Sequence, residues 1–209
     1  MQVSGLVDAR RFPSVAQFLE RQVEMQFADL RVLLQLPLGN FKAGCNFAAC
    51  AVLLNLLSGF SVCLFDASVE ALASQKGRGR RFKDLLVQTY PWNAEPWPSR
   101  ECSKWLYEMA RNPLAHSLGI QVTTVPEWNG IAKRPLTVGE VATLETSDQR
   151  PSWLGPTLFQ RPVNGDIGTF LSIPGLYWGT WRVLGKLCTD SDQMTGAERL
   201  LSKLGYGAA

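Results

Sequence analysis

A mainly helical protein is predicted by three features of the 209-residue chain. Apolar residues Phe18, Leu19, Val23, Phe27, Leu30 and Leu34 recur at spacings of three to four, which places them along one face of a helix. A run without a formal charge extends from Ala43 to Phe65, too long for a strand and suited to a buried helix. Near the C-terminus, Tyr177, Trp181, Leu184 and Cys188 form another stripe at helical spacing, read as a helix packing on the core rather than a base-stacking platform.

The elements follow in order. The first helix is expected from about Ser14 to Leu36, opened by a capping box of Ser14 with Gln17 and closed by Pro37 and Gly39. The uncharged run is the second, continuing through Val69 and Leu72 to Gly77. A basic stretch, read as a solvated loop, leads into a short helix over Phe82–Thr89 that Pro91 stops. Trp92 to Pro98, with two tryptophans and two prolines, is an ordered connector. A further helix starts near Ser99 or Arg100, with Cys102, Leu106, Met109 and Ala110 on one face. Beyond Gly119, Ile120, Val122 and Thr124 alternate, and Asn129-Gly130 is a turn signal that would let Ile131–Val138 pair back as a hairpin. Thr137 with Glu140 caps a helix from Val138 to Glu145. The proline- and glycine-rich stretch from Ser147 to Pro174 reads as a long irregular excursion. A last helix runs from about Thr195 to Leu204 and ends at Gly205.

Composition excludes several classes. A hydrophobic fraction of 46% and a charged fraction of 19% suit a packed core and oppose disorder. A net charge of +3 does not by itself announce a nucleic-acid binder. The five cysteines, Cys45, Cys50, Cys63, Cys102 and Cys188, include no two-residue-spaced pair, so they read as free thiols in a reducing compartment, the cytoplasm. With His116 the only histidine and no ligand motif, neither a metal nor a cofactor is expected; Walker and dinucleotide fingerprints are absent from the sequence. A membrane span over 43–65 meets the length criterion, but Asn46, Asn55, Ser58, Gly59 and Ser61 dilute it, and a core helix is the favoured reading.

One short stretch is equipped for acid-base chemistry. Arg111, Asn112 and His116 bring a permanent cation, an amide and a group titrating near neutrality within six residues at the end of an amphipathic helix. Pro113 kinks that helix or opens a new one capped by Asn112. A purely structural role is the competing reading, with Arg111 facing the carbonyl end of its helix, Asn112 capping the next and His116 making a buried hydrogen bond. Tyr107 and Glu108 lie within a turn of Arg111 and are either its supporting partners or ordinary surface residues. A second feature is the cation run Lys76, Arg78, Arg80, Arg81 and Lys83, a candidate grip for a nucleic-acid backbone.

The sequence Arg111-Asn112-Pro113-Leu114-Ala115-His116 resembles the arginine, polar residue, three variable residues, histidine signature of the HEPN superfamily, the higher eukaryotes and prokaryotes nucleotide-binding domain. The resemblance extends from about Ser14 to Leu118 in element order. It implies an up-and-down bundle of four or five helices over residues 1–119; it does not account for residues 120–209, which read as a partly irregular C-terminal extension with a short β-hairpin and one or two helices, packing on the same core. It also implies a homodimer, no metal, and an RNA-cleaving site in which Arg111, Asn112 and His116 take the family's arginine, polar and histidine roles. A catalytically silent interaction module, working with an antitoxin or other partner protein, is the alternative that the same resemblance allows. A membrane-associated protein anchored by residues 43–65 is a third.

Overall fold

The computed structural model describes residues 3–37, 45–67, 77–112, 128–132 and 134–207, with the side chains of Ser4 and of 128–132 left aside. The fold is mainly helical, as the sequence predicts. A single-turn helix at Val3–Leu6 precedes α1 (Pro13–Phe18), a π-helical turn (Leu19–Glu24) and α2 (Met25–Gln35), which together make one continuous rod. Then come α3 (Asn46–Cys63), α4 (Arg78–Thr89), and α5 (Ser99–Trp105), which runs on as a π-helical turn, Leu106–Arg111. The C-terminal part contains β1 (Trp128–Ala132), α6 (Val138–Thr146), β2 (Leu158–Val163), β3 (Asp166–Ser172), α7 (Ile173–Thr189) and α8 (Ser191–Lys203).

Helix α7 lies at the centre because its sequence is apolar on nearly every side. Ile173, Leu176, Tyr177, Trp178, Trp181, Val183 and Leu184 are all buried, and α3, α4, α6 and α8 pack around it. Phe27 from the first rod stacks on Trp181 at 4.4 Å between ring centres and meets Tyr177 edge-on at 5.7 Å. The polar tips of Tyr177 and Trp178 are paired as burial demands. The Tyr177 hydroxyl donates to Glu145, which also accepts from Arg31 Nε at 2.7 Å, and Trp178 Nε1 donates to the Ser147 carbonyl at 3.0 Å. Gly179 is required where it stands, since a Cβ there would collide with the Tyr90 ring. Helix α3 is long and apolar enough to cross a membrane, yet half of it is buried inside the protein among the other helices.

Several local expectations are corrected. Ser14 does not cap the first helix: Pro13 opens it, and Ser14 is already inside, 2% exposed. The amides of Ser14 and Val15 donate instead to the Glu198 carboxylate of α8 at 3.0 to 3.1 Å, a distant acid serving the positive end of the helix. Gln17 accepts from the Gly207 amide. Helix α3 ends at Cys63 rather than continuing toward Gly77, and Val69 and Leu72 lie outside the described residues. The basic run is not a loop, because Gly77 adopts a left-handed conformation (φ +91°) and α4 begins at Arg78. Burial of Phe82, Leu85 and Leu86 draws that first turn into helix.

The strands also depart from expectation. Asn129-Gly130 is not a turn but lies within β1, which pairs parallel with β3; residues 120–127 lie outside the described residues. The stretch from Ser147 to Pro174 is not wholly irregular, for β2 and β3 form an antiparallel hairpin with Phe159 opposite Phe170 and Val163 opposite Asp166. Its two-residue turn is Asn164-Gly165, both with positive φ (52° and 94°), the conformation that matches the twist of the strands. The sheet order is β1-β3-β2. The predicted capping box does form: Thr137 Oγ1 accepts from the Glu140 amide and Glu140 accepts from the Thr137 amide.

A buried ion pair ties the connector after α4 to the loop after α6. Arg150 Nη2 donates to Glu95 Oε1 at 3.1 Å, with side chains 6% and 0% exposed, and also to the Pro91 carbonyl, while Nη1 donates to the Gly155 carbonyl. Burial alone would push the Glu95 carboxyl pKa up. The Thr157 amide, the Arg150 charge and the amides of Ala94 and Asn93 outweigh burial and hold it below the ordinary value. A carboxylate depressed in the folded state adds stability above its unfolded pKa and loses it as pH falls through the folded value. Glu95→Gln is therefore expected to lower unfolding stability by about 3–5 kcal/mol at neutral pH, as for a buried charge left without its partner. In urea titrations the gap between variant and parent narrows as the pH is taken down toward the acid range.

Candidate functional site

The sequence-predicted residues divide into those the structure brings together and those it does not. Arg111 and Asn112 close the π-helical turn that follows α5, a rare geometry that offsets side chains from a regular helix. Arg111 Nη1 donates to Asn112 Oδ1 at 3.1 Å, so the amide holds the guanidinium rather than leaving it to swing. His116 lies outside the described residues, as do Pro113 and Lys76.

Arg111 faces a pocket of about 480 Å³ between three elements. The end of α3 supplies Ser58, Gly59, Ser61, Val62 and Cys63, α4 supplies Arg78 and Phe82, and the π turn supplies Tyr107 and Arg111. Two residues read separately from the sequence, Arg111 of the motif and Arg78 of the cation run, therefore line one cavity. Their convergence follows from packing: Phe82, Leu85 and Leu106 are buried in the shared core and set α4 beside the π turn.

Tyr107 is the pivot of this arrangement. Its ring lies 5.6 Å from that of Phe82, the Arg111 guanidinium sits 5.7 Å from its centre, and Lys83 Nζ sits 5.5 Å away. Each cation is attracted by the electron-rich face of the ring. Tyr107 fits only because position 79 has no side chain, as a Cβ there would collide with the Tyr107 hydroxyl. Of the alternatives for Tyr107, the structure thus favours a supporting partner, whereas Glu108 is exposed.

The pocket's polar groups have a direction. Ser58 Oγ donates to the Leu54 carbonyl at 2.8 Å and Ser61 Oγ to the Ser58 carbonyl at 2.8 Å, so both hydroxyl protons are spent on the helix backbone. The charged donors lining the cavity are the guanidiniums of Arg78 and Arg111, whose planar forks match the oxygens of a phosphate or carboxylate. Burial pushes the Cys63 thiol pKa up, which keeps it protonated and a poor nucleophile beside these cations. No group of three or more histidine, cysteine or acidic residues able to hold a metal occurs among the described residues.

The remaining cations among the described residues do not line the pocket. Arg80 is 87% exposed and pairs with Asp84 at 3.5 Å, a surface contact of small energetic value. Arg81 and Lys83 belong to the same helix but are not among the pocket's lining residues. Sequence reasoning did not find Ser58, Ser61, Cys63, Gly79 or Phe82. None carries a signal of its own in the sequence, since Gly79 lies in a stretch that reads as a loop, where a glycine is ordinary. Neither family models, curated proteins nor solved structures give a match to this chain.

Gly79→Ala should separate site geometry from stability. The added methyl favours helix by about 1 kcal/mol, and the displaced group is the far end of one side chain, so the thermal midpoint is expected to hold nearly constant. The Tyr107 ring must move, and with it the cation pair. Weaker binding of a phosphate-bearing oligonucleotide at an unchanged midpoint is the expected result.

Proposed function

We propose that this protein is a HEPN-like endoribonuclease that grips an RNA phosphate between Arg78 and Arg111 and cleaves it with His116, acting as a homodimer in the cytoplasm. The observation that carries the reading is the shared pocket: the motif arginine, hydrogen-bonded to Asn112, and Arg78 of the basic run line one cavity. Five free cysteines agree with a reducing compartment.

The chemistry needs no more than these residue types. A neutral imidazole takes the proton of the ribose 2'-hydroxyl as that oxygen bonds to phosphorus. The bond from phosphorus to the 5'-oxygen breaks, and the departing oxygen receives a proton from an imidazolium, leaving a cyclic phosphate and a free 5'-hydroxyl. Charge that builds on the phosphoryl oxygens is met by the guanidiniums of Arg78 and Arg111, which bind the transition state more strongly than the ground state. One chain carries one histidine. Base and acid together therefore call for His116 and the partner subunit's His116 across a twofold interface.

Incubation of the purified protein with labelled RNA tests this. Cleavage is expected to persist with a chelator, to fall at least about a hundredfold in His116→Ala, and to fall comparably in Arg111→Ala. The protein should elute at twice the chain mass of 23.2 kDa. RNA left intact by the parent protein, with the oligonucleotide still bound at the pocket, would instead assign the catalytically silent module working with a partner protein.

A further inference from the structure

The tryptophan-bearing C-terminal part contains a second cleft, remote in sequence from the motif. Pro151 and Pro156 bracket a short loop in which Leu154 turns inward, 6% exposed, and Trp153 turns outward, 40% exposed. The loop lies against the start of β2 and the β3–α7 junction. Between them opens a cavity of about 370 Å³ lined by Arg134, Trp153, Pro156, Phe159, Ser172 and Pro174 among others.

A large indole left partly in water is costly unless something covers it. Here it is also held still. The Arg134 guanidinium lies 4.8 Å from the Trp153 ring centre, and Arg134 Nη2 donates to Glu140 at 2.6 Å. That charge is balanced by its carboxylate, so Arg134 acts as a backing plate that orients the ring before any ligand arrives. Phe159 extends the aromatic surface, stacking on Phe170 at 5.6 Å with planes 20° apart. Two residues along the same face of β2, the exposed Arg161 places its guanidinium 4.0 Å above Phe170.

Among the side chains at the cleft, the Ser172 hydroxyl accepts from the Gly175 amide and Arg134 Nη2 donates to Glu140, so the surface presented is chiefly aromatic. A ligand recognised by a flat π-face with an anion one step away is well matched, because stacking needs no directional bond and Arg161 supplies the cation.

We propose that this cleft binds an unpaired nucleic-acid strand, one base stacking on Trp153 beside Phe159 and a neighbouring phosphate meeting Arg161. The cleft assigns the unpaired strand; that the strand is RNA rests on the ribonuclease reading above. It would hold a substrate away from the scissile bond and restrict cleavage to single-stranded regions.

The test is fluorescence anisotropy of the full-length His116→Ala protein with labelled single-stranded RNA and, in parallel, single-stranded DNA of the same sequence. Trp153→Ala is expected to weaken binding about tenfold, the loss of one stacked base, while Trp153→Phe, which keeps a ring, restores most of it. Arg161→Gln should weaken binding and flatten its salt dependence. Both sites are exposed, so the thermal midpoint of each variant serves as the control for folding. Equal loss for RNA and DNA supports the cleft as a general strand site, and loss for RNA alone supports it as an RNA site. Unchanged affinity in Trp153→Ala and Arg161→Gln overturns the proposal, as does a proline-rich peptide that binds through Trp153 when neither nucleic acid does. Because DNA carries no 2'-hydroxyl and binding is read without turnover, a failure of the nuclease reading leaves this result intact.

Discussion

The guanidinium of Arg150 is the point on which the packing of the two halves of the chain depends. It reaches the Glu95 carboxylate, the Pro91 and Gly155 carbonyls and the face of Trp178 at 4.9 Å, so one side chain joins the connector after α4, the loop after α6 and the central helix α7. Such a group is expensive to bury, and it is tolerated because both Glu95 oxygens are in turn occupied by Arg150 and by the amides of Asn93, Ala94 and Thr157. A second network does the same for the first rod. Arg31 bridges Glu24 at 2.9 Å and Glu145 at 2.7 Å, and Glu24 accepts from the amide of Val3.

With the connector pinned, the position of the candidate site follows. The stacked Trp97 and Trp105, 5.5 Å between centres, seat α5 against that connector. Helix α5 then continues as the π turn that brings Tyr107 and Arg111 over the first turn of α4. The cationic pocket is thus not a loop feature but the meeting of three helices. Its electrostatic character comes from two guanidiniums on separate elements, with serine protons directed back into α3. A pocket of this kind favours anions through the charge of its two guanidiniums, of which that of Arg111 is hydrogen-bonded to Asn112.

The two surfaces considered for function are built on different principles. At the Arg78–Arg111 pocket, charge dominates, and the aromatic Tyr107 lies under the Arg111 guanidinium. At the Trp153 cleft, rings dominate, and the cations back them or flank them. A single-stranded nucleic acid offers both a phosphate and a π-face at every residue, so one polymer satisfies the two chemistries together.

Much of the helical framework was legible in the sequence, because amphipathic spacing and long apolar runs leave no other way to bury the side chains. The first rod, the uncharged helix, the helix capped by Thr137 and Glu140, and the stripe on α7 are of this kind. The β2–β3 hairpin was also signalled, by Asn164-Gly165, but the surrounding prolines and glycines masked it. Other features belong to tertiary structure alone. Glu198 caps a helix more than 180 residues earlier, a distance across which no local pattern reports. The basic run became helix because Phe82, Leu85 and Leu86 found a core to enter. Arg78 and Arg111 came to share a cavity for the same reason: periodicity tells a chain which face of each helix is buried, while only the packing of those faces decides which polar residues meet on the other side.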